Sequence, residues 1–245
     1  GQVSTIDGAA IGYGIGVYTA IISGTLTVLS GLFAARETHI KPMRARTDQM
    51  SVTEPLPRSF YARDTAVVAK DLLHKHLVRR TSEGDIVAKI VEVEAYKGAE
   101  DPASHAYKGL TERNWPMFGK PGCAYIYFIY GNHHCLNVTT EREGVPGAVL
   151  IRAVEIVDGL ELARKNRKAD SLVDLSNGPS KLTEALNISE IHNGLDLTER
   201  NELFICPSET IESFETTTSR RIGVKAGSEK PWRFYIKNNK FVSKP

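Results

Sequence analysis

Beyond residue 54 the chain alternates between two periods. Val67, Val68, Leu72 and Leu73 recur at helical spacing behind Asp64, a good N-cap residue, and predict a helix over Thr65 to His76. Runs rich in β-branched and aromatic residues predict strands at Asp85 to Tyr96, Ala124 to Tyr130, His133 to Thr139 and Ala148 to Val157. The turn pair Gly131-Asn132 joins the second and third of these into a hairpin. Helical spacing returns over Gly159 to Lys168 and Pro179 to Leu186, the latter with proline in its first turn. Strands at Ile222 to Lys225 and Trp232 to Ile236 close the pattern. Neighbouring strands without regular βαβ alternation predict an α+β fold, a single domain around a curved, largely antiparallel sheet with a protruding β-hairpin.

The first 49 residues read differently. Gly8 to Ala35 is a run of 28 positions without charge, longer than the roughly 20 a helix needs to cross a bilayer. Arg36, Lys41, Arg44 and Arg46 follow it, so a spanning helix would leave the remaining chain in the cytoplasm. The run also carries six glycines and many hydroxyl residues, which lowers its hydrophobicity. Met50 opens a polar leader to the patterned region and is a candidate start. Residues 1–49 are therefore expected to be an N-terminal extension, an anchor or a targeting segment, and 50–245 the functional domain.

With 245 residues, 41% apolar and 24% charged, the chain is long enough to bury a core, so extensive disorder is excluded. A net charge of +2 supplies no global field for a polyanion, so any nucleic-acid contact must come from a site. Three cysteines without CxxC spacing suggest neither a disulfide framework nor a zinc ribbon, and point to a reducing, cytoplasmic setting.

Three segments carry candidate chemistry. In Ile90-Val-Glu-Val-Glu-Ala-Tyr96 the strand period places Val91, Val93 and Ala95 on one face and Glu92, Glu94 and Tyr96 on the other. That face is either solvated or a carboxylate site, and the loop ending at His105 brings an acid, base or ligand within reach. In Tyr125 to Asn137, aromatic residues occupy both faces of the first strand, Tyr130 stands at the hairpin tip, and Asn137 needs a buried partner or a ligand. In Gly147 to Glu155, Arg152 lies inside an apolar strand and must face a carboxylate or an anion, for which Glu94 is an economical partner. A water between the two would be a poised nucleophile.

These residues carry a resemblance. Glu94-Ala-Tyr96, Glu100-Asp101-x-Ala103-x-His105, Arg113-Asn114-x-x-Met117-Phe118, Lys120-Pro121-Gly122, Tyr125-x-Tyr127-x-x-Tyr130-Gly131, Asn137, Leu150-Ile-Arg152-Ala, Gly178-Pro-Ser-Lys181, Arg221-Ile-Gly-Val224 and Pro231-x-Arg233-Phe-Tyr235 together resemble the alkyladenine (3-methyladenine) DNA glycosylases. The likeness runs from about Leu56 to Val242 in the family's order, and a bacterial-type member would begin near Met50.

The resemblance implies a monomeric, cofactor-free enzyme of base-excision repair that binds double-stranded DNA and extrudes an alkylated or deaminated purine. Tyr130 would fill the gap in the base stack. Tyr96 and Tyr127 would sandwich the extruded base, with His105, the Ala103 carbonyl and Asn137 reading its edge. Glu94 would be the general base, and Arg152 with the Ile222 carbonyl would hold the attacking water. Phosphate contacts are expected from Arg113, Lys120, Lys181, Arg220, Arg221 and Lys225. Asn132, His133 and His134 depart from the more apolar run of eukaryotic members, and Asp101-Pro102 stiffens the loop before His105. Three rival classes stay open on the residues alone: a metal-dependent hydrolase or nuclease using Glu92, Glu94, Asp101 and His105, a non-catalytic module binding damaged DNA, and a membrane-anchored interaction protein that rests on residues 8–35.

Overall fold

The computed structural model of the chain describes residues 54–129, 131, 133–210 and 213–244, so the candidate spanning run at 8–35 lies outside the described residues. The fold is α+β. Among the described residues eight strands form one sheet: β1 (His76–Thr81), β2 (Gly84–Tyr96), β3 (Ala124–Ile129), β4 (His133–Thr139), β5 (Ala148–Asp158), β6 (Leu203–Cys206), β7 (Thr216–Ser219) and β8 (Arg233–Ile236). The main path runs β3-β4-β5-β2-β1-β6, with β8 pairing both β2 and β7, and every pairing is antiparallel. The helices are α1 (Arg58–Tyr61), α2 (Thr65–Leu72), α3 (Leu160–Asn166), α4 (Leu172–Ser176) and α5 (Pro179–Ala185).

The two faces of the sheet do different things. Val91, Val93 and Ala95 of β2, Val149, Ile151 and Ala153 of β5, and Leu136 and Val138 of β4 join Val68, Leu72, Leu182 and Leu186 in the main core. Alternation then sends Glu92, Glu94, Tyr96, Cys135, Asn137, Leu150 and Arg152 to the opposite face. That second face is covered too: Glu92 and Glu94 are both fully buried. The β2–β5 ladder shifts register on both sides of Glu92, an irregularity that bends a strand and re-aims its side chains where the carboxylates lie.

Several predicted boundaries change. Asp64 caps α2 as expected, accepting from the Ala66 and Val67 amides at 2.9 and 3.1 Å. The helix stops at Leu72 rather than His76, because β2 captures the chain: the His74 amide donates to the Ile90 carbonyl at 2.8 Å, and the Ile90 amide to Lys75 at 2.9 Å. Ile222 to Lys225 is not a strand but an irregular loop, held by contacts described below. The short strands β1, β6 and β7 escape the sequence pattern, since β1 is buried over four successive positions and β7 is a largely exposed Thr-rich run. The hairpin has the expected strands, with Gly131 at φ +77°, a left-handed turn conformation that glycine adopts without steric cost. Tyr130 and Asn132 lie outside the described residues.

Candidate active site

A pocket of about 590 Å³ opens on the second face of the sheet. Tyr125 and Tyr127 of β3, Cys135 and Asn137 of β4, and Leu150 and Arg152 of β5 line its sheet side. Tyr96, Ala103, His105 and Met117 contribute one wall, and the 222–226 loop another. The sheet thus aims side chains from three neighbouring strands into one space, and the loops enclose it.

At its edge lies a buried carboxylate with two anchors. Glu94 accepts from the Tyr96 hydroxyl at 2.8 Å on one oxygen and from the Ile222 amide at 2.7 Å on the other. Arg152 approaches the Tyr96-bound oxygen at 3.3 Å. A carboxylate offers about four lone-pair directions, so these contacts orient Glu94 without exhausting its capacity to accept a proton. The pairing expected of Arg152 is nevertheless shared: its Nε donates to Glu92 at 2.9 Å, closer than its approach to Glu94. Burial works against the charge on Arg152, but Glu94 and Glu92 outweigh it and raise its pKa.

The aromatic side of the pocket is neutral. His105 lies edge-on to Tyr127, ring centroids 4.6 Å apart, and its Nδ1 shares a 2.8 Å hydrogen bond with the Tyr125 hydroxyl. Burial, helped by nearby Arg113, lowers the His105 pKa and favours the neutral imidazole. Burial also pushes the Tyr125 phenol up to about 12, and those of Tyr96 and Tyr127 higher, so all three keep their protons. Asn137 finds the partner its position demands, donating to the Tyr125 carbonyl at 3.0 Å while still lining the pocket. Along β3 the aromatic run leaves the core: Tyr125 is buried, Tyr127 half-buried and Phe128 exposed.

Of the six expected phosphate contacts, Arg113, Lys120, Arg220 and Lys225 are exposed, and Arg113 lies over the Tyr127 ring at 5.1 Å. Lys181 is half-buried and engaged by Asp174 and Asn177. Arg221 is a correction. Its side chain is fully enclosed, bonded to both Asp101 oxygens at 2.5 and 2.7 Å and to the Ala95 and Gly227 carbonyls, with Tyr96 and Trp232 against its plane. It cannot reach a phosphate; it holds the loop whose Ile222 amide binds Glu94. The sequence contained a signal for this, since an Arg and an Asp-Pro flanking apolar segments both need partners, but their separation of 120 positions hid the pairing.

The four residues of the metal reading do not form one cluster. Asp101 is consumed by Arg221 and Glu92 by arginines, and among the described residues no group of three or more His, Cys, Asp or Glu side chains is placed to hold a metal ion. Among the described residues no helix is long and apolar enough to cross a membrane. Sequence reasoning missed Tyr125 as the partner of His105, Cys135 and Met117 as pocket lining, and Ser243, which reaches Glu92 from the far end of the chain.

Residues 59–240 match the sequence profile of the family described as methylpurine-DNA glycosylase. A relative from Carboxydothermus hydrogenoformans, classed by name with the 3-methyladenine DNA glycosylases, is 50% identical over 189 residues, covering 77% of this chain and 98% of its own. Relatives of the same designation from Alkaliphilus oremlandii and Methanocella arvoryzae are 47% and 46% identical, each over 77% of this chain and over 98% and 96% of their own. The chain belongs to the methylpurine-DNA glycosylase family.

Proposed function

From membership of the methylpurine-DNA glycosylase family, we propose that this protein is a monofunctional glycosylase acting on double-stranded DNA. It extrudes 3-methyladenine, 7-methylguanine or hypoxanthine into the pocket and hydrolyses the N-glycosidic bond. The observation that carries this reading is a buried carboxylate, Glu94, anchored by Tyr96 and Ile222 and flanked by Arg152 beside an aromatic pocket. Glycosidic cleavage passes through an oxocarbenium-like sugar, which a nearby carboxylate stabilises. Glu94 takes a proton from water as the water oxygen bonds to the sugar carbon; the carbon–nitrogen bond breaks and its electron pair leaves with the purine. An alkylated purine already carries positive charge, so it leaves without an acid, whereas neutral hypoxanthine must be protonated at the purine as the bond breaks.

Electron-rich Tyr96 and Tyr127 suit a cationic base, by up to about 2 kcal/mol per desolvated contact. His105, the Ala103 carbonyl and Asn137 read its edge, Arg152 and the Ile222 carbonyl hold the water, and Tyr130 occupies the vacated stack. Arg113, Lys120, Arg220 and Lys225 touch phosphates. In this reading residues 50–245 act as a monomer in the cytoplasm, and 1–49 take no part in the chemistry.

The test is base release, in excess EDTA, from a duplex bearing one hypoxanthine or a 3-methyladenine analogue. Release by the full chain but not by Glu94→Gln, leaving an intact abasic strand, supports the proposal. Tight lesion binding without release would overturn it in favour of a binding module, and release abolished by EDTA would favour the metal-dependent reading.

A further inference from the structure

Glu92 is fully buried behind the pocket, and the mechanism above gives it no task. One of its oxygens accepts from Arg152 Nε at 2.9 Å, Arg233 Nε at 2.7 Å and the Ser243 hydroxyl at 2.9 Å; the other accepts from the Ser243 amide at 2.6 Å. Burial alone would raise the Glu92 pKa, but Arg152, the Ser243 amide and Arg233 outweigh it and hold the carboxyl below its ordinary range. The segment bearing Ser243 is tied down a second time, because Arg233 also donates to the Lys244 carbonyl.

The consequence concerns Arg152. Its Nε is committed to Glu92, its Nη2 lies 3.5 Å from the Ser243 hydroxyl, and only Nη1 turns to Glu94, at 3.3 Å. Two carboxylates and two guanidiniums balance in this enclosed group. Without Glu92, Glu94 would be the remaining anion for a buried cation, and a close, bidentate pair would occupy the lone pairs that must receive the proton from water.

We propose that Glu92 is a positioning residue for base release: it divides Arg152 between two carboxylates, so that Arg152 orients Glu94 without neutralising it, and Ser243 fixes Glu92 in turn. The proposal rests on the reading of Glu94 as general base.

The experiment measures single-turnover base release from a hypoxanthine duplex by the full chain and by Glu92→Gln, Glu92→Asp, Ser243→Ala, Arg152→Gln and the Glu92→Gln/Arg152→Gln and Ser243→Ala/Arg152→Gln pairs, with duplex affinity and thermal unfolding measured alongside. Glu92→Gln is expected to slow release roughly ten- to a hundredfold, the scale of a misaligned catalytic group, with lesion-duplex affinity held. Glu92→Asp recovers part of the rate, and Ser243→Ala costs a few-fold by the same route. Because Glu92 acts through Arg152, adding Glu92→Gln to Arg152→Gln costs no further rate. Equal cost of Glu92→Gln with and without Arg152, or a parent-like rate at a temperature where the variant is folded, overturns the proposal. Where Glu92→Gln does not fold, the Ser243→Ala pair decides: additivity with Arg152→Gln overturns it and coupling supports it. A parent chain that releases no base from this duplex is assayed, with the same variants, on one bearing a 3-methyladenine analogue, and no release from either overturns the glycosylase reading and this inference together.

Discussion

The Asp101–Arg221 pair and the Glu92–Glu94–Arg152–Arg233 group both bury full charges beside Tyr96, yet only the second presents a charged side chain to the pocket. Tyr96 touches both, with its ring under the Arg221 guanidinium and its hydroxyl donating to Glu94. In the first pair both terminal nitrogens of Arg221 are spent on Asp101 and on backbone carbonyls. In the second, one arginine is shared between two carboxylates, and the carboxylate it holds more loosely retains acceptor capacity. A carboxylate filled on both oxygens, as Asp101 is by Arg221 and by the Lys97 and Ala103 amides, makes a clamp, whereas Glu94 is left with the acceptor capacity its proposed role requires. The clamp nonetheless serves the site, because it carries the loop whose Ile222 amide orients Glu94.

The sharpest way to break this contrast is Glu94→Gln, which preserves shape and removes the proposed base. Single-turnover release is expected to fall roughly 10²- to 10⁴-fold with lesion binding retained, while the unfolding temperature changes little. A loss of folding with parent-like release per folded molecule would make Glu94 the clamp and undo the comparison. Asp101→Asn should do the reverse. Leaving Arg221 buried without its anion is expected to cost about 3–5 kcal/mol of stability in denaturant unfolding, with release lowered by less than in Glu94→Gln.

Acid separates contributions within the second group. The Glu92 pKa is depressed in the folded state, so its contribution is fully present above the unfolded glutamate value of about 4.3 and is lost as pH falls through the folded value. Thermal unfolding followed by circular dichroism should therefore show stability falling with pH below about 4.3, less steeply in Glu92→Gln. An identical slope in parent and variant would remove Glu92 from the acid response. The smallest effect is at the rim. Lys225→Gln should weaken duplex binding a few-fold and reduce the slope of log affinity against log salt by about 0.9, the share of one phosphate contact. Lys181→Gln, whose ammonium is already engaged by Asp174, should leave that slope unchanged.

Much of the candidate site is legible in the sequence. Period-two alternation in β2 separates Val91, Val93 and Ala95 from Glu92, Glu94 and Tyr96, because successive side chains of a strand must point to opposite faces. A guanidinium in an apolar strand demands an anion, which places Arg152 against a carboxylate. Local rules also marked Asp64 as a cap and Gly131 as a turn. Which carboxylate takes Arg152, and which arginine is a clamp, were not local questions. Arg221 and Asp101 are 120 positions apart, and Ser243 and Glu92 are 151 apart. Residue type and period determine which face a side chain occupies and what kind of partner it needs. Only the folded sheet and its loops decide which partner arrives, because a buried charge binds whatever opposite charge the fold brings to it, however distant in the chain.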